Sequence, residues 1–244
     1  MRSEYKYPIR MHDLPALRAE LEPYLVADHN AVADDDGVYT VRSLYFDTAG
    51  FKYYQEKLDG IAKRRKVRIR VYNERASDSI AFFEVKHKDQ QWVSKSRAPV
   101  HIDNAAAFLD TGDTGRFVLP LPKHPKAVEH ATHFHYYLRS AHLRPAALIS
   151  YERIAFHGAF DPGFRLTFDF NLRSGLGVGV GDLYRDHGLK SFLRDVCVVE
   201  VKFSRGMPSW IANVLHRYDA RRDAVSKYCM GIEACRSRIA SPMP

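Results

Sequence analysis

The sequence predicts an α+β protein: an eight-stranded antiparallel β-barrel with a polar lumen, flanked by helices. Three observations predict it. Eight short segments alternate strictly between charged and apolar residues, which is the period-two signature of strands. These segments come in consecutive runs instead of alternating with helices, which argues against a doubly wound fold and for a meander or barrel. Finally, the charged positions are mostly Arg and Lys with a few carboxylates and almost no Ser, Thr or Gln among them, a composition suited to a tunnel lining.

Arg2 to Ile9 is the first strand, and Leu14 to Leu25 then has helical spacing, with Pro15 accommodated in the first turn. Tyr39 to Asp47 is a strand and Tyr53 to Asp59 a brief helix. Strands Lys66 to Tyr72, Ile80 to Lys88 and Val93 to Val100 follow. A helical insertion at about 103–145 contains Asn104 to Leu109 and Pro125 to Ala141, with Pro120, Pro122 and Pro125 marking a break between them. The remaining strands are Ala147 to His157, Phe164 to Arg173 and Val196 to Phe203. A helical C-terminal segment at about 208–238 comprises Trp210 to Leu215 and Ala224 to Arg238. The run Gly175, Gly177, Gly179, Gly181 lacks the two-residue gap of a dinucleotide fingerprint and reads as a flexible loop. Residues 1–244 read as a single domain.

Composition narrows the function. Apolar residues make up 45% and charged residues 27% of the 244, ordinary globular values that exclude collagen, a disulfide knot and a disordered chain. Thirty-seven Lys and Arg against 29 Asp and Glu leave a net charge of +8 and call for an anionic partner: nucleic acid, a phosphate compound or an acidic membrane surface. Cys197, Cys229 and Cys235 fit neither a zinc knuckle nor a disulfide framework, so a reducing compartment is expected. No apolar stretch is long enough to span a membrane, and Met1 to Arg10 has no signal-peptide core. The expectation is a cytoplasmic protein.

Residues two apart on a strand share a face. Arg2, Glu4 and Lys6 therefore lie together, as do Lys66, Arg68 and Arg70; Glu84, Lys86 and Lys88; Lys95 and Arg97; Arg165 and Asp169; Glu200 and Lys202. The opposite faces are apolar: Val67, Ile69 and Val71; Phe83 and Val85; Leu166, Phe168 and Phe170; Val199, Val201 and Phe203. One strand of this kind is an ordinary half-solvated edge, and Glu84 with Lys86 or Glu200 with Lys202 are also readable as plain ion pairs. Six such strands make a lumen whose like charges repel at reduced dielectric unless a polyanion, with a divalent cation, fills it. The apolar faces then need covering by helices or a second subunit. His130, His133 and His135 do not share one helical face and are not read as a metal site. The run Lys63-Arg64-Arg65-Lys66 reads as a solvated entrance that guides polyanions, Tyr53, Tyr54 and Trp92 as outer packing, Asp169 as a residue that orients cations, and Cys229 as a core thiol.

These segments resemble the triphosphate tunnel metalloenzymes, and within them the polyphosphate polymerase domain of the vacuolar transporter chaperone complex and its bacterial relatives. The resemblance is carried by Glu4-Tyr5-Lys6-Tyr7, Ser43-Leu44-Tyr45-Phe46-Asp47, Arg68-Ile69-Arg70, Glu84-Val85-Lys86, Tyr151-Glu152-Arg153, Arg165-Leu166-Thr167-Phe168-Asp169, Glu200-Val201-Lys202-Phe203 and Ser226-Lys227-Tyr228. It implies an eight-stranded tunnel that binds ATP and Mn2+ or Mg2+ and transfers the terminal phosphoryl group to inorganic polyphosphate. It further implies that Lys6, Arg68, Arg70, Lys86, Arg153, Arg165 and Lys227 are phosphate ligands, with Arg68, Arg70, Lys86 and Lys227 at the catalytic centre. Ser226 assists Lys227, Lys95 and Lys202 extend the basic lining, and Glu200 holds the metal. By analogy with the complex, a membrane protein that receives the polymer is an expected partner, and a specific nucleic acid is not.

Glu4, Glu84 and Asp169 are auxiliary carboxylates able to position water, so a tunnel triphosphatase acting on tripolyphosphate or nucleoside triphosphates is the alternative. Many tunnel triphosphatases carry Glu-x-Glu-x-Lys on the first strand where this chain has Arg2, Glu4 and Lys6. That departure weakens the hydrolase reading. A non-catalytic polyanion-binding module is the third reading, recognisable by salt-sensitive binding without turnover.

Overall fold

Strands form where the period-two pattern places them. The computed structural model describes residues 3–28, 37–90 and 92–237, so Arg2 and Arg238 lie outside the described residues. In chain order the elements are β1 (Ser3–Arg10), α1 (Leu14–Leu21), β2 (Leu25–Ala27), β3 (Val38–Asp47), α2 (Lys52–Leu58), β4 (Lys63–Tyr72), β5 (Ile80–Asp89) and β6 (Trp92–His101). They continue with α3 (Ala105–Thr111), α4 (Thr114–Phe117), α5 (Ala127–Ser140), β7 (Arg144–Gly158), β8 (Arg165–Gly175), β9 (Lys190–Ser191), β10 (Val196–Phe203), α6 (Ser209–Arg217) and α7 (Lys227–Arg236). The ladders β1 with β10, β10 with β8, β2 with β7, β3 with β4, β4 with β5 and β5 with β6 are all antiparallel.

Two compact units share the chain. The first comprises Met1–Thr40, Tyr151–Arg173 and Ser191–Lys227. Its strand order is β1-β10-β8-β7. Tyr7 and Ile9, Leu166 and Phe168, and Val199, Val201 and Phe203 alternate onto one face and are buried. Leu14, Leu17 and Leu21 of α1 and Ile211, Val214 and Leu215 of α6 complete this core. Just past the end of α6, the hydroxyl of Tyr218 donates to Glu20 of α1 at 2.7 Å.

The second unit comprises Val41–Ser150, Ser174–Lys190 and Tyr228–Pro244. Its strands run β7-β3-β4-β5-β6. Val67, Ile69 and Val71, Ala81, Phe83 and Val85, and Ala98 and Val100 point to the core side. Phe108 of α3 and Ala131, Phe134 and Leu138 of α5 cover them. The Phe83 ring meets Phe108 and Phe134 edge-on, each at 4.9 Å. In both units the apolar strand faces are thus covered by helices of the chain itself.

Local departures have local causes. The helix expected to reach Leu25 ends at Leu21, because Pro23 forces a 3-10 turn over Glu22–Tyr24, and β2 then takes Leu25 into a ladder with β7. The basic run Lys63-Arg64-Arg65-Lys66 lies inside β4, where the Arg65 guanidinium sits 4.9 Å over the Tyr137 ring and the exposed Lys63 pairs with Asp89 at 3.5 Å. Tyr53 and Tyr54 are buried as expected, but Trp92 is 69% exposed. The two-residue β9 carries too few residues for any periodicity to announce it. Among the described residues no helix is long and apolar enough to cross a membrane.

Candidate functional site

Each unit carries one charged cluster on the face opposite its apolar core. In the first unit the register of β1 against β10 sets Glu4 across from Lys202 and Lys6 across from Glu200. Two carboxylates and two lysines thus share one patch. The Lys6 ammonium lies 3.5 Å from Glu4 and 3.9 Å from Glu200, and it donates to the Val225 carbonyl at 3.0 Å. Lys202 pairs with Glu200 and stands 3.8 Å from Glu4.

Beside this patch, β8 supplies Asp169, which is fully buried. Arg153 of β7 grips it with both arms of its guanidinium, at 2.5 and 2.8 Å, and Lys227, the first residue of α7, reaches it at 2.6 Å. Ser226 is buried next to Lys227. Asp169 thus pairs with two cations at once. Arg165 is held apart by a residue the sequence did not single out: Asp28 accepts from its guanidinium at 2.8 Å, with His157 3.4 Å from the same carboxylate.

Burial alone would raise the carboxyl pKa of Glu200, but Lys202, Lys6, Lys227 and Arg153 outweigh it and hold the group well below the usual carboxylate range. Asp169 is likewise held down, by Arg153 and Lys227 against its burial. Burial would lower the ammonium of Lys227, yet Asp169, Tyr151 and Glu200 leave it raised. These groups are all ionised at neutral pH. Hard divalent cations bind through one or two carboxylates and complete their shell with water and phosphate oxygens. Glu4 and Glu200 fit that donor set. Among the described residues no group of three or more His, Cys, Asp and Glu is placed to hold a metal ion, so an all-protein cage does not fit. His130 contacts the Arg97 backbone and His135 fills the space beside Gly112 against the Phe108 ring, while His133 is exposed.

In the second unit one buried carboxylate, Glu84 of β5, gathers cations from the two strands beside it. Arg68 of β4 reaches it through two nitrogens at 2.7 and 2.6 Å, and Lys95 and Arg97 of β6 lie 2.7 and 3.0 Å away. Burial pushes the Glu84 pKa up, while Arg68, Arg70, Lys95 and Arg97 bring it well below the carboxylate range. Arg70 is buried and donates to the Ser43 hydroxyl at 3.0 Å. One row further along, the registers place Lys66 opposite Lys86 and Lys86 opposite Lys95, three ammonium side chains abreast; beyond them Arg64 faces Lys88. Like charges in direct cross-strand opposition destabilise a ladder. A face built this way is suited to an extended polyanion that lies along it.

Residues 1–236 match the family model of the VTC domain. The chain belongs to the VTC-domain family. No curated protein matches this VTC domain. Among solved structures, it is similar to the PH1819 protein of Pyrococcus horikoshii, with 9% identity, 95% of this chain and 99% of the other covered, and a TM-score of 0.49. It is also similar to the Hippeastrum protein HpAC1, described as a candidate adenylyl cyclase with a dominant triphosphatase activity (13% identity, 100% and 98% covered, TM-score 0.48). A candidate adenylate cyclase of Vibrio parahaemolyticus shows the same degree of likeness (12% identity, 96% and 98% covered, TM-score 0.46).

Of the residues expected at the site, this VTC domain brings Glu4, Lys6, Arg153, Asp169, Glu200, Lys202, Ser226 and Lys227 together in its first unit. Arg68, Arg70, Glu84, Lys86 and Lys95 come together in its second. Sequence reasoning placed Arg97 beside Lys95 without giving it a role, and it passed over two tyrosines. Tyr45 accepts from Arg68 at 2.9 Å and Tyr72 accepts from Arg97 at 2.7 Å. A signal was there for both: Tyr45 alternates with Ser43 and Asp47, and Tyr72 continues the row Lys66, Arg68, Arg70. Asp47 explains why Tyr45 is so placed. Its carboxylate accepts from the backbone amides of Thr48, Tyr53 and Tyr54 and from the Tyr228 hydroxyl at 2.6 Å, so it ties β3 to the start of α2 and to α7. The Tyr228 ring then stacks on Tyr45 at 4.8 Å.

Proposed function

We propose that this VTC domain is an ATP-dependent polyphosphate polymerase, residues 1–244 acting as one functional domain that moves the terminal phosphoryl group of ATP onto a growing polyphosphate chain. The observation that carries the reading is the strand-borne cation row of a VTC domain: Arg68 and Arg70 with Lys66, Lys86, Lys95 and Arg97 beside a single buried carboxylate, Glu84. Phosphoryl transfer passes through a loose transition state with charge spread over non-bridging oxygens, so its catalysis is mostly alignment and electrostatic stabilisation. Guanidinium forks at Arg68, Arg70, Arg153 and Arg165 suit bidentate phosphate recognition, and Lys6, Lys86, Lys95, Lys202 and Lys227 act as point charges, with Ser226 beside the last. Glu200, with Glu4 beside it, would hold Mn2+ or Mg2+. That ion, when bound, supplies charge neutralisation at phosphate oxygens. A phosphate acceptor is already ionised near neutral pH and needs no general base, which leaves Glu84 and Asp169 to organise cations.

The test is incubation of the purified protein with ATP and Mn2+ or Mg2+, with gel detection of long phosphate chains and parallel measurement of ADP and orthophosphate. Long chains with matching ADP, abolished by chelation, are expected. In Lys86→Ala the product should disappear while the chain still folds, which circular dichroism of the variant checks. Orthophosphate without polymer would make the chain a triphosphatase, and binding without turnover a polyanion-binding module.

A further inference from the structure

Across the charged face of the second unit runs a continuous chain of polar contacts: the Tyr45 hydroxyl, Arg68, Glu84, Arg97 and the Tyr72 hydroxyl. The two phenols occupy equivalent places, each on a guanidinium that Glu84 shares. Tyr45 is 6% exposed; β4 presents Lys66, Arg68 and Arg70 to it, and α7 presents the Tyr228 ring, whose hydroxyl is committed to Asp47. Tyr72 faces Arg70 of its own strand, Glu84 of β5 and Arg97 and Lys95 of β6, with the Phe82 ring edge-on at 5.9 Å. Five cations, Lys66, Arg68, Arg70, Lys95 and Arg97, therefore surround one carboxylate and two phenols. A cation crowd at reduced dielectric lowers its energy either by taking up an anion or by shedding protons from the groups within it.

We propose that Tyr45 and Tyr72 are proton-uptake sites coupled to polyanion binding: with no anion present their phenols ionise to balance the arginines, and a bound phosphate chain supplies that negative charge instead and returns a proton from solvent to each phenolate oxygen. The inference rests on the reading of this cluster as a phosphate site. Electrostatics agree in direction. Burial raises the Tyr45 phenol, but Arg68, Lys66 and Arg70 draw it down to about 7, and Arg70 and Arg97 draw Tyr72 to about 8 against its burial. Lys95 relieves the same crowding, its ammonium lowered to about 8 by burial and by Arg68 and Arg97 despite Glu84. A bound anion moves the phenols back toward their ordinary value near 10. In the window between, binding consumes protons, and phosphate affinity falls as pH rises.

The experiment pairs an ultraviolet titration of tyrosinate with calorimetry of tripolyphosphate binding at pH 8 in two buffers of different ionisation enthalpy. Of the 14 tyrosines, up to two should ionise between pH 7 and 8, tripolyphosphate should suppress that absorbance, and binding should take up about one proton or more. Tyr45→Phe keeps the ring stacked on Tyr228 and should remove one early tyrosinate and part of the proton uptake. Tyr72→Phe, a second variant at a separate strand position, should remove the other. Tyrosinate that appears only near pH 10, or proton uptake that is equal in the wild type and both variants, overturns the coupling while tripolyphosphate still binds. If tripolyphosphate neither binds nor shifts early-titrating phenols, the phosphate reading of the cluster fails and the coupling with it.

Discussion

Replacing Glu84 by Gln keeps the shape of the side chain and removes the one negative charge that Arg68, Lys95 and Arg97 share. The carboxylate is 1% exposed, whereas those three side chains are 17%, 44% and 24% exposed. Breaking a buried ion pair by removing one partner typically costs about 3–5 kcal/mol, and cations that partly reach solvent place this case at the low end, about 3 kcal/mol. For a chain of this size each kcal/mol lowers the melting temperature by about 2–4 °C, so Glu84→Gln should melt about 6–12 °C below the wild type. The same substitution leaves a more positive face. Tripolyphosphate should therefore raise the melting temperature of the variant by more degrees than that of the wild type, and added salt should recover part of the loss. Differential scanning calorimetry with and without tripolyphosphate reads both effects. A variant that melts within about 2 °C of the wild type, or that gains no more from the anion, would refute the argument that Glu84 is the internal counter-charge of this face.

The remaining predictions concern pH and packing. Glu84, Asp169 and Glu200 have folded-state pKa values below those of the unfolded chain, so the stability they contribute is complete above about pH 4.5 and is lost as pH falls toward the folded values. The urea midpoint should thus decline from about pH 4.5 downward, and less steeply in Glu84→Gln; a flat profile to pH 3 would contradict the pairing. Gly231→Ala in α7 should lower the melting temperature although alanine is the better helix former by about 1 kcal/mol. An added Cβ would lie 2.4 Å from Ile149 and 2.8 Å from the Ser174 hydroxyl, and overpacking of this kind costs about 1–3 kcal/mol.

The face of each strand that carries charge was legible in the sequence, because side-chain alternation is a property of the strand itself and needs no partner. Val67, Ile69 and Val71 had to point opposite to Lys66, Arg68 and Arg70 in any sheet, and the structure buries the first three completely. The end of α1 was also written locally, in Pro23, although helical spacing alone carried the reading past it. Which charges meet is another matter. That Glu84 stands opposite both Arg68 and Arg97, and Lys86 opposite Lys66 and Lys95, depends on strand register, and a two-residue slip would keep every face while breaking every pair. Arg165 finds Asp28 across 137 positions, and Tyr228 finds Asp47 across 181. Tyr45 and Tyr72 looked like aromatic members of strands until the fold set a guanidinium against each hydroxyl. The amino-acid pattern by itself determined a basic, strand-built face. Only the tertiary structure decided which carboxylate neutralises which cations, because short-range electrostatics depend on distances of a few ångströms between residues that no local periodicity relates.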